Sequence, residues 1–214
     1  KLTAGDPQKW DRFGSAVAVS GDTIVVGAPN EGSVAYKHGA AYVFQRDQAT
    51  DNWTQILKLG GNPGGGAFAA YGSAVDVDGD TLVVGAWKYG YKGNDEYSGA
   101  AFIYERNDGS WSLSKKIIPT DLVASNMDHF GWSVAVQGST VIVGEPLFDG
   151  ASDSSIGAVH IYEKTNGVWT LTDSLTAIGG VAGDQFGHSV DIHSNQLLVG
   201  ASEADDDNGA AFLF

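Results

Sequence analysis

The chain has 214 residues, 43% of them hydrophobic and 18% charged, a balance that makes a globular domain and excludes a disordered one. With 12 Lys and Arg against 26 Asp and Glu, the net charge of −14 excludes a nucleic acid gripped by its phosphates and an anionic membrane surface. There is no Cys, and no apolar run reaches the roughly 18 residues that would insert in a bilayer, whereas 30 Gly point to many tight turns and close backbone contacts.

The first residues, 1–4, read as the tail of a strand, because Leu2-Thr3-Ala4 returns later as Leu175-Thr176-Ala177. A complete set of strands follows. Arg12-Phe13-Gly14-Ser15-Ala16-Val17 opens a first strand whose small and branched residues alternate between faces. Ser20-Gly21-Asp22 is a hairpin turn. Thr23-Ile24-Val25-Val26-Gly27-Ala28-Pro29 is a continuous apolar run, the mark of a strand covered on both faces. After a loop, Gly39-Ala40-Ala41-Tyr42-Val43-Phe44 is a third strand, and a fourth runs from Trp53 to Lys58-Leu59.

The same phrases then return. The first recurs as Ala70-Tyr71-Gly72-Ser73, His129-Phe130-Gly131-Trp132 and Gln185-Phe186-Gly187-His188, with aromatic positions 13, 71, 130 and 186 lying 58, 59 and 56 apart. The second ends in Gly85-Ala86-Trp87, Gly144-Glu145-Pro146 and Gly200-Ala201-Ser202, and the fourth restarts at Trp111 and Trp169. The last copy stops at Phe214, after its third strand. Four short antiparallel strands make a sheet too small to bury both faces alone, so copies must stack on one another. Stacking around an axis predicts an all-β fold, a β-propeller of four-stranded antiparallel blades. Residues 1–214 form one region of four repeats of about 58 residues, starting near 12, 70, 129 and 185, with the last blade incomplete. An incomplete blade is an open edge, which predicts self-association or further blades.

These phrases resemble the FG-GAP repeat of integrin α-subunit propellers and of many secreted bacterial proteins. Phe13-Gly14 with Gly27-Ala28-Pro29 carries both halves of that motif, and the other copies are variants. The resemblance implies an extracellular or cell-surface location, adhesion or ligand binding, and Ca²⁺ held by an Asp-rich loop between the first two strands. Here that connection is shortened. Asp76-Val77-Asp78-Gly79-Asp80 reads either as a remnant of the calcium loop or as a plain turn.

Variable loops on a rigid scaffold carry function. In antiparallel blades the connections from second to third strand (2–3) and from fourth to the next first strand (4–1) share one face. The 2–3 loops here, at 30–38, 87–98, 147–156 and 203–208, are long and dissimilar, so that face is the expected binding face. It carries a candidate ligand-binding group of Trp87, Tyr89, Tyr91 and Tyr97 with Lys88 and Lys92, with packing between loops as the other reading. Two oxygen-rich loops, Asp149 with Asp153 and Asp205-Asp206-Asp207, are candidate metal ligands beside Asp76, Asp78 and Asp80. Asp11, Asp128 and Asp184 each precede the repeat aromatic by two, which predicts a structural role in the 4–1 turn. No His pair has a zinc spacing, and there is no Gly-x-Ser-x-Gly elbow or phosphate loop, so no catalysis is expected. The sequence thus predicts a noncatalytic extracellular recognition or adhesion module with a protein or glycan ligand. A lectin-like propeller, or a scaffold part of a larger secreted enzyme, is the alternative.

Overall fold

Each phrase of the repeat becomes a strand in the computed structural model, which describes residues 1–33, 36–60, 69–90, 98–119, 128–149 and 155–214. In chain order the first blade contains β1 (Ala16–Ser20), β2 (Thr23–Ala28), the small hairpin β3 (Gly32–Ser33) and β4 (Tyr36–Lys37), β5 (Ala40–Arg46) and β6 (Trp53–Gly60). The second is β7 (Ala74–Asp78), β8 (Thr81–Ala86), β9 (Ala100–Asn107) and β10 (Ser110–Ile117). The third is β11 (Ser133–Gln137), β12 (Thr140–Glu145), β13 (Ala158–Thr165) and β14 (Val168–Leu175). The fourth is β15 (Phe186–His193), β16 (Gln196–Ala201) and β17 (Ala210–Leu213). The sheets run β1-β2-β5-β6, β7-β8-β9-β10, β11-β12-β13-β14 and β15-β16-β17, all antiparallel. The chain is therefore β-propeller material with three full blades and a three-stranded fourth. The one helical turn among the described residues, 204–207, carries left-handed φ/ψ at Asp205 and Asp206.

Local chemistry explains the strands. The turn into the second strand carries Gly21, Gly79 or Gly138 at a φ of 53–56°, where an L side chain is strained. Every complete blade has one bulge between its third and fourth strands, at Val43/Phe44, Leu113/Lys115 and Ile161/Tyr162, which adds twist.

The core lies between blades, not within them. Val25, Val43 and Leu59 of blade 1 pack on Tyr71, Val75 and Leu82 of blade 2. Val83, Ile103 and Ile117 pack on Phe130, Val134 and Val141, and Ile142 and Val159 pack on Phe186, Leu197 and Val199. Leu59 and Ile117, each the end of a fourth strand, thus pack against the following blade. Leu2 and Ala4 take that place against Phe13, Tyr42 and Phe44 of blade 1.

The glycines of the motif mark where backbones meet. A Cβ on Gly27 would lie 2.0 Å from the Gly72 carbonyl oxygen, one on Gly85 2.1 Å from that of Gly131, and one on Gly144 2.2 Å from that of Gly187. The aromatic of each following blade bridges to the Gly before the third strand, as Gly39 with Tyr71, Gly99 with Phe130 and Gly157 with Phe186.

These contacts stop at both ends of the described stack. Val17 and Val19 are 68% and 67% exposed, against 8% and 4% for their equivalents Val75 and Val77. At the other end Leu198 and Leu213 are 46% and 67% exposed. The reason is geometric: each blade covers its predecessor, and nothing described covers these two faces.

Candidate functional site

The 2–3 and 4–1 loops of every blade are tied into one surface by the same backbone bond. Asn30, Lys88, Leu147 and Glu203 donate their N–H to the carbonyls of Asp11, Ala69, Asp128 and Asp184. Two of the repeated aspartates hold their 4–1 turns from inside. Asp11 Oδ2 accepts the Gln8 N–H at 2.8 Å and Asp184 Oδ2 accepts the Val181 N–H at 2.8 Å, and both side chains are buried.

Between blades 1 and 2 this surface dips into a cavity of about 280 Å³. Arg12 reaches it from the 4–1 loop, Asn30 and Lys37 from the 2–3 segment of blade 1, Ser73 from the start of β7, and Trp87 with Lys88 from the 2–3 loop of blade 2. Lys88 Nζ sits 4.5 Å from the centre of the Trp87 ring, a cation–π contact. An aromatic row continues toward blade 4. His129 packs at 4.4 Å on Trp87 and 5.5 Å on Trp132, and Trp132 lies 5.6 Å from His188. The repeat does not make equivalent pockets here, because position 12 is Arg where the other copies have Ala70, His129 and Gln185.

Of the sequence-picked ligand group, Trp87 and Lys88 stand on this surface, half-buried. Tyr89 turns inward. It is 4% exposed, packs on Phe102 at 5.6 Å and meets Lys116. Tyr91, Lys92 and Tyr97 lie outside the described residues. Arg12 and Lys37 were not picked from sequence. They lie 25 residues apart, and only the folding of the loops brings them beside Lys88.

The acidic candidates divide by place. Asp76 accepts the N–H of Val136, in the next blade, at 2.7 Å and that of Val77 at 2.8 Å, and Asp78 accepts the Gly138 N–H at 2.7 Å. Asp80 pairs with Arg106 at 2.7 Å. Burial, first among the causes, raises the Asp76 carboxyl above its usual range. These three carboxylates staple blade 2 to its neighbour and to its own third strand. They do not converge, so they do not fit a hard cation that wants 6–8 oxygens around one point. On the loop face Asp149 Oδ1 accepts the Ser155 N–H at 2.8 Å, and Asp205 and Asp206 are exposed. Asp153 and the Asp207 side chain lie outside the described residues. Among the described residues no three His, Cys, Asp or Glu side chains are grouped to hold a metal ion.

One buried polar cluster stands apart from the loop face. His160 and Glu145 are both fully buried, with His160 Nε2 2.7 Å from Glu145 Oε2 and Nδ1 2.9 Å from Ser174 Oγ. The order matches a Ser–His–carboxylate relay. Ser174, however, sits on a plain outer strand, and its own N–H, a donor an oxyanion site would use, is given to Asp173 Oδ1. The cluster reads as a buried pair with an exposed hydroxyl partner.

The His129 imidazole is held down, to about 4, first by burial and then by the Lys88 ammonium. At neutral pH it is an uncharged aromatic against Trp87. Its folded value is depressed, and the unfolded chain binds that proton near 6.5. Its stabilisation is therefore complete above about pH 6.5 and is lost as pH falls toward about 4. Urea midpoints measured across this window are expected to fall less in His129→Phe than in the parent chain. Parallel curves would refute the assignment.

The profile of the FG-GAP repeat family matches residues 1–44, 53–104, 111–162 and 169–214. The second match, 53–104, joins strand β6 of blade 1 to the first strands of blade 2, so the sequence repeat and the blade are out of phase by one strand. Integrin alpha pat-2 of Caenorhabditis elegans is 39% identical over 102 residues, 40% of this chain and 8% of that protein. Integrin alpha-7 of Rattus norvegicus is 29% identical over 191 residues, 84% of this chain and 16% of that protein. The chain thus spans a small part of the curated relatives it matches. Among solved structures, Saccharomyces cerevisiae Sqt1 superposes with a TM-score of 0.50 at 13% identity, over 89% of this chain and 43% of that one, which is a likeness of fold. No helix among the described residues is long and apolar enough to cross a membrane.

Proposed function

Because this chain belongs to the FG-GAP repeat family, we propose that it is a noncatalytic recognition module of an extracellular or cell-surface protein, taking a protein ligand on its 2–3/4–1 loop face. The observation that carries the reading is the cavity between blades 1 and 2, where loops of dissimilar sequence bring Arg12, Lys37, Trp87 and Lys88 together on one rigid surface. A dissimilar set suits one asymmetric partner. A lectin with one sugar site per blade would repeat its lining, and this surface does not. The relatives in sequence named above are integrin α chains, which favours adhesion as the context. The two uncovered apolar end faces, at Val17 and Val19 and at Leu198 and Leu213, support a further blade or a second copy as neighbour, since they match the surfaces that meet at each inner junction.

The test immobilises the chain and measures binding to a panel of purified extracellular-matrix proteins, with a glycan array as the competing arm. A protein ligand is expected, with affinity lowered about tenfold or more by Trp87→Ala with Lys88→Ala, measured at a temperature where the variant, though less stable, is still fully folded. Asp108→Ser, in a turn of the opposite face, is expected to leave it intact. Binding confined to glycans, or indifferent to the loop-face change, would overturn the proposal.

A further inference from the structure

The charges around the cavity run against the rest of the molecule. The chain carries 12 Lys and Arg against 26 Asp and Glu. Yet three of those cations, Arg12, Lys37 and Lys88, line one cavity of about 280 Å³, and no Asp or Glu is among its described lining residues. Four cations elsewhere are held in ion pairs. Arg46 meets Asp22 and Asp51, Lys58 meets Asp6 and Glu31, Arg106 meets Asp80, and Lys164 meets Glu105. Arg12 and Lys37 form no ion pair with a described residue. Like charges drawn together repel, and in an acidic protein carboxylates are the commoner neighbours, so Arg12 and Lys37 at one hollow mark a place for an anion from outside.

The surroundings narrow its class. The cavity lies near the small end of ligand pockets, roughly 300 Å³. It has room for a side chain and its backbone, with the Asn30 amide and the Ser73 hydroxyl at hand for the remaining polar atoms. A sugar ring would want an open indole face. The Trp87 ring has Lys88 over it at 4.5 Å and His129 and Trp132 against it at 4.4 and 5.1 Å, so it is engaged by the protein's own groups. The guanidinium of Arg12 offers the planar fork that fits a carboxylate with two parallel bonds.

Building on the recognition reading above, we infer that the cavity takes a carboxylate of an acidic segment in the protein partner. Arg12 binds it through paired N–H donors, Lys37 and Lys88 hold it electrostatically, and Trp87 fixes the position of Lys88. The acidic remainder of the surface repels segments that do not reach the cavity, so the contact selects for a short acidic loop rather than a long acidic tract.

The test titrates the whole 1–214 chain by NMR with the blocked peptide acetyl-Gly-Asp-Gly-Asp-Gly-amide and its Asn counterpart. A glucuronate oligosaccharide and sodium sulfate are run in parallel. The Asp peptide is expected to shift the Trp87 indole N–H and to bind about tenfold tighter than the Asn peptide, with the difference shrinking as salt rises. Arg12→Gln with Lys37→Gln is expected to remove that preference, and Lys9→Gln, an exposed cation outside the cavity, to keep it. Both are surface changes, and unfolding midpoints confirm that each variant folds. Equal binding of the two peptides, tighter binding of glucuronate or sulfate, or a preference that survives the double change would overturn the inference. If it fails while Trp87→Ala with Lys88→Ala still abolishes capture of a matrix protein, the recognition face stands and only the carboxylate is lost. If both fail, the face itself is wrong.

Discussion

Gly85→Ala is expected to destabilise the chain by about 3 kcal/mol or more, a fall of roughly 10 °C in thermal midpoint, whereas Gly200→Ala is expected to change stability by under about 1 kcal/mol. Both glycines hold the same place in the repeat, in Val84-Gly85-Ala86 and Val199-Gly200-Ala201, and neither has a positive φ. The residue types and backbone are matched, so the difference comes from the neighbour. A methyl on Gly85 would sit 2.1 Å from the Gly131 carbonyl oxygen, which is backbone of blade 3. It can be relieved only by sliding one blade on the next, which loosens the packing of Val83 and Ile103 on Phe130. A methyl on Gly200 meets the Ser189 Oγ at 2.3 Å, a hydroxyl that can rotate away, and no backbone of a further blade. Thermal and urea unfolding of the two variants side by side checks this. Equal losses would mean that the motif glycine serves its own strand rather than the junction.

His160→Ala is expected to cost about 3–5 kcal/mol, and the exchange Glu145→Ala with His160→Phe to return the chain to parental stability or above it by about 1–4 kcal/mol. The reason lies in the equivalent places of the other blades. Where blade 3 has Glu145 and His160, blade 1 has Ala28 and Tyr42, blade 2 Ala86 and Phe102, and blade 4 Ala201 and Phe212. In blade 3 alone an apolar pair is replaced by a carboxyl and an imidazole 2.7 Å apart and out of contact with solvent. Burial pushes the Glu145 carboxyl above its usual range, and its second oxygen, Oε1, has no hydrogen-bond partner among the described residues. Removing only the imidazole leaves that carboxyl without the group that holds it. Removing both restores the kind of contact that Phe102 makes with Ala86 in blade 2. Denaturant unfolding of the single and double variants measures the coupling. If the double variant is no more stable than His160→Ala, the pair is not the source of the cost.

Much of the architecture was legible because the repeat states the same local chemistry four times. Strand, turn and motif glycine recur in register, and a run apolar on both faces, such as Thr23-Ile24-Val25-Val26, has to lie between two neighbours. The structure puts Val25 toward blade 2 and Val26 toward the other face. Asp11 and Asp184, two residues before a repeat aromatic, were also legible as turn holders, since an Asx side chain bonds amides only a few residues away. Tyr89 and Asp76 show where such reading ends. Tyr89 stands two residues after Trp87 and looks alike in composition, yet it is folded under the loop onto Phe102. Asp76 looks like part of a cation loop, but one of its partners, the Val136 amide, is 60 residues away.

By itself the sequence determined the strands, their order within a blade and the need for blades to stack, because these follow from short-range periodicity and from turn residues with special φ. Only the tertiary structure decided which carboxylates are engaged across junctions, which of the loop aromatics face outward and which cations share a hollow. Those outcomes depend on how one loop sits beside another from a different blade. Loops that share no repeat carry no local signal of that contact, which is why Arg12, Lys37 and Lys88 became neighbours only in the folded chain.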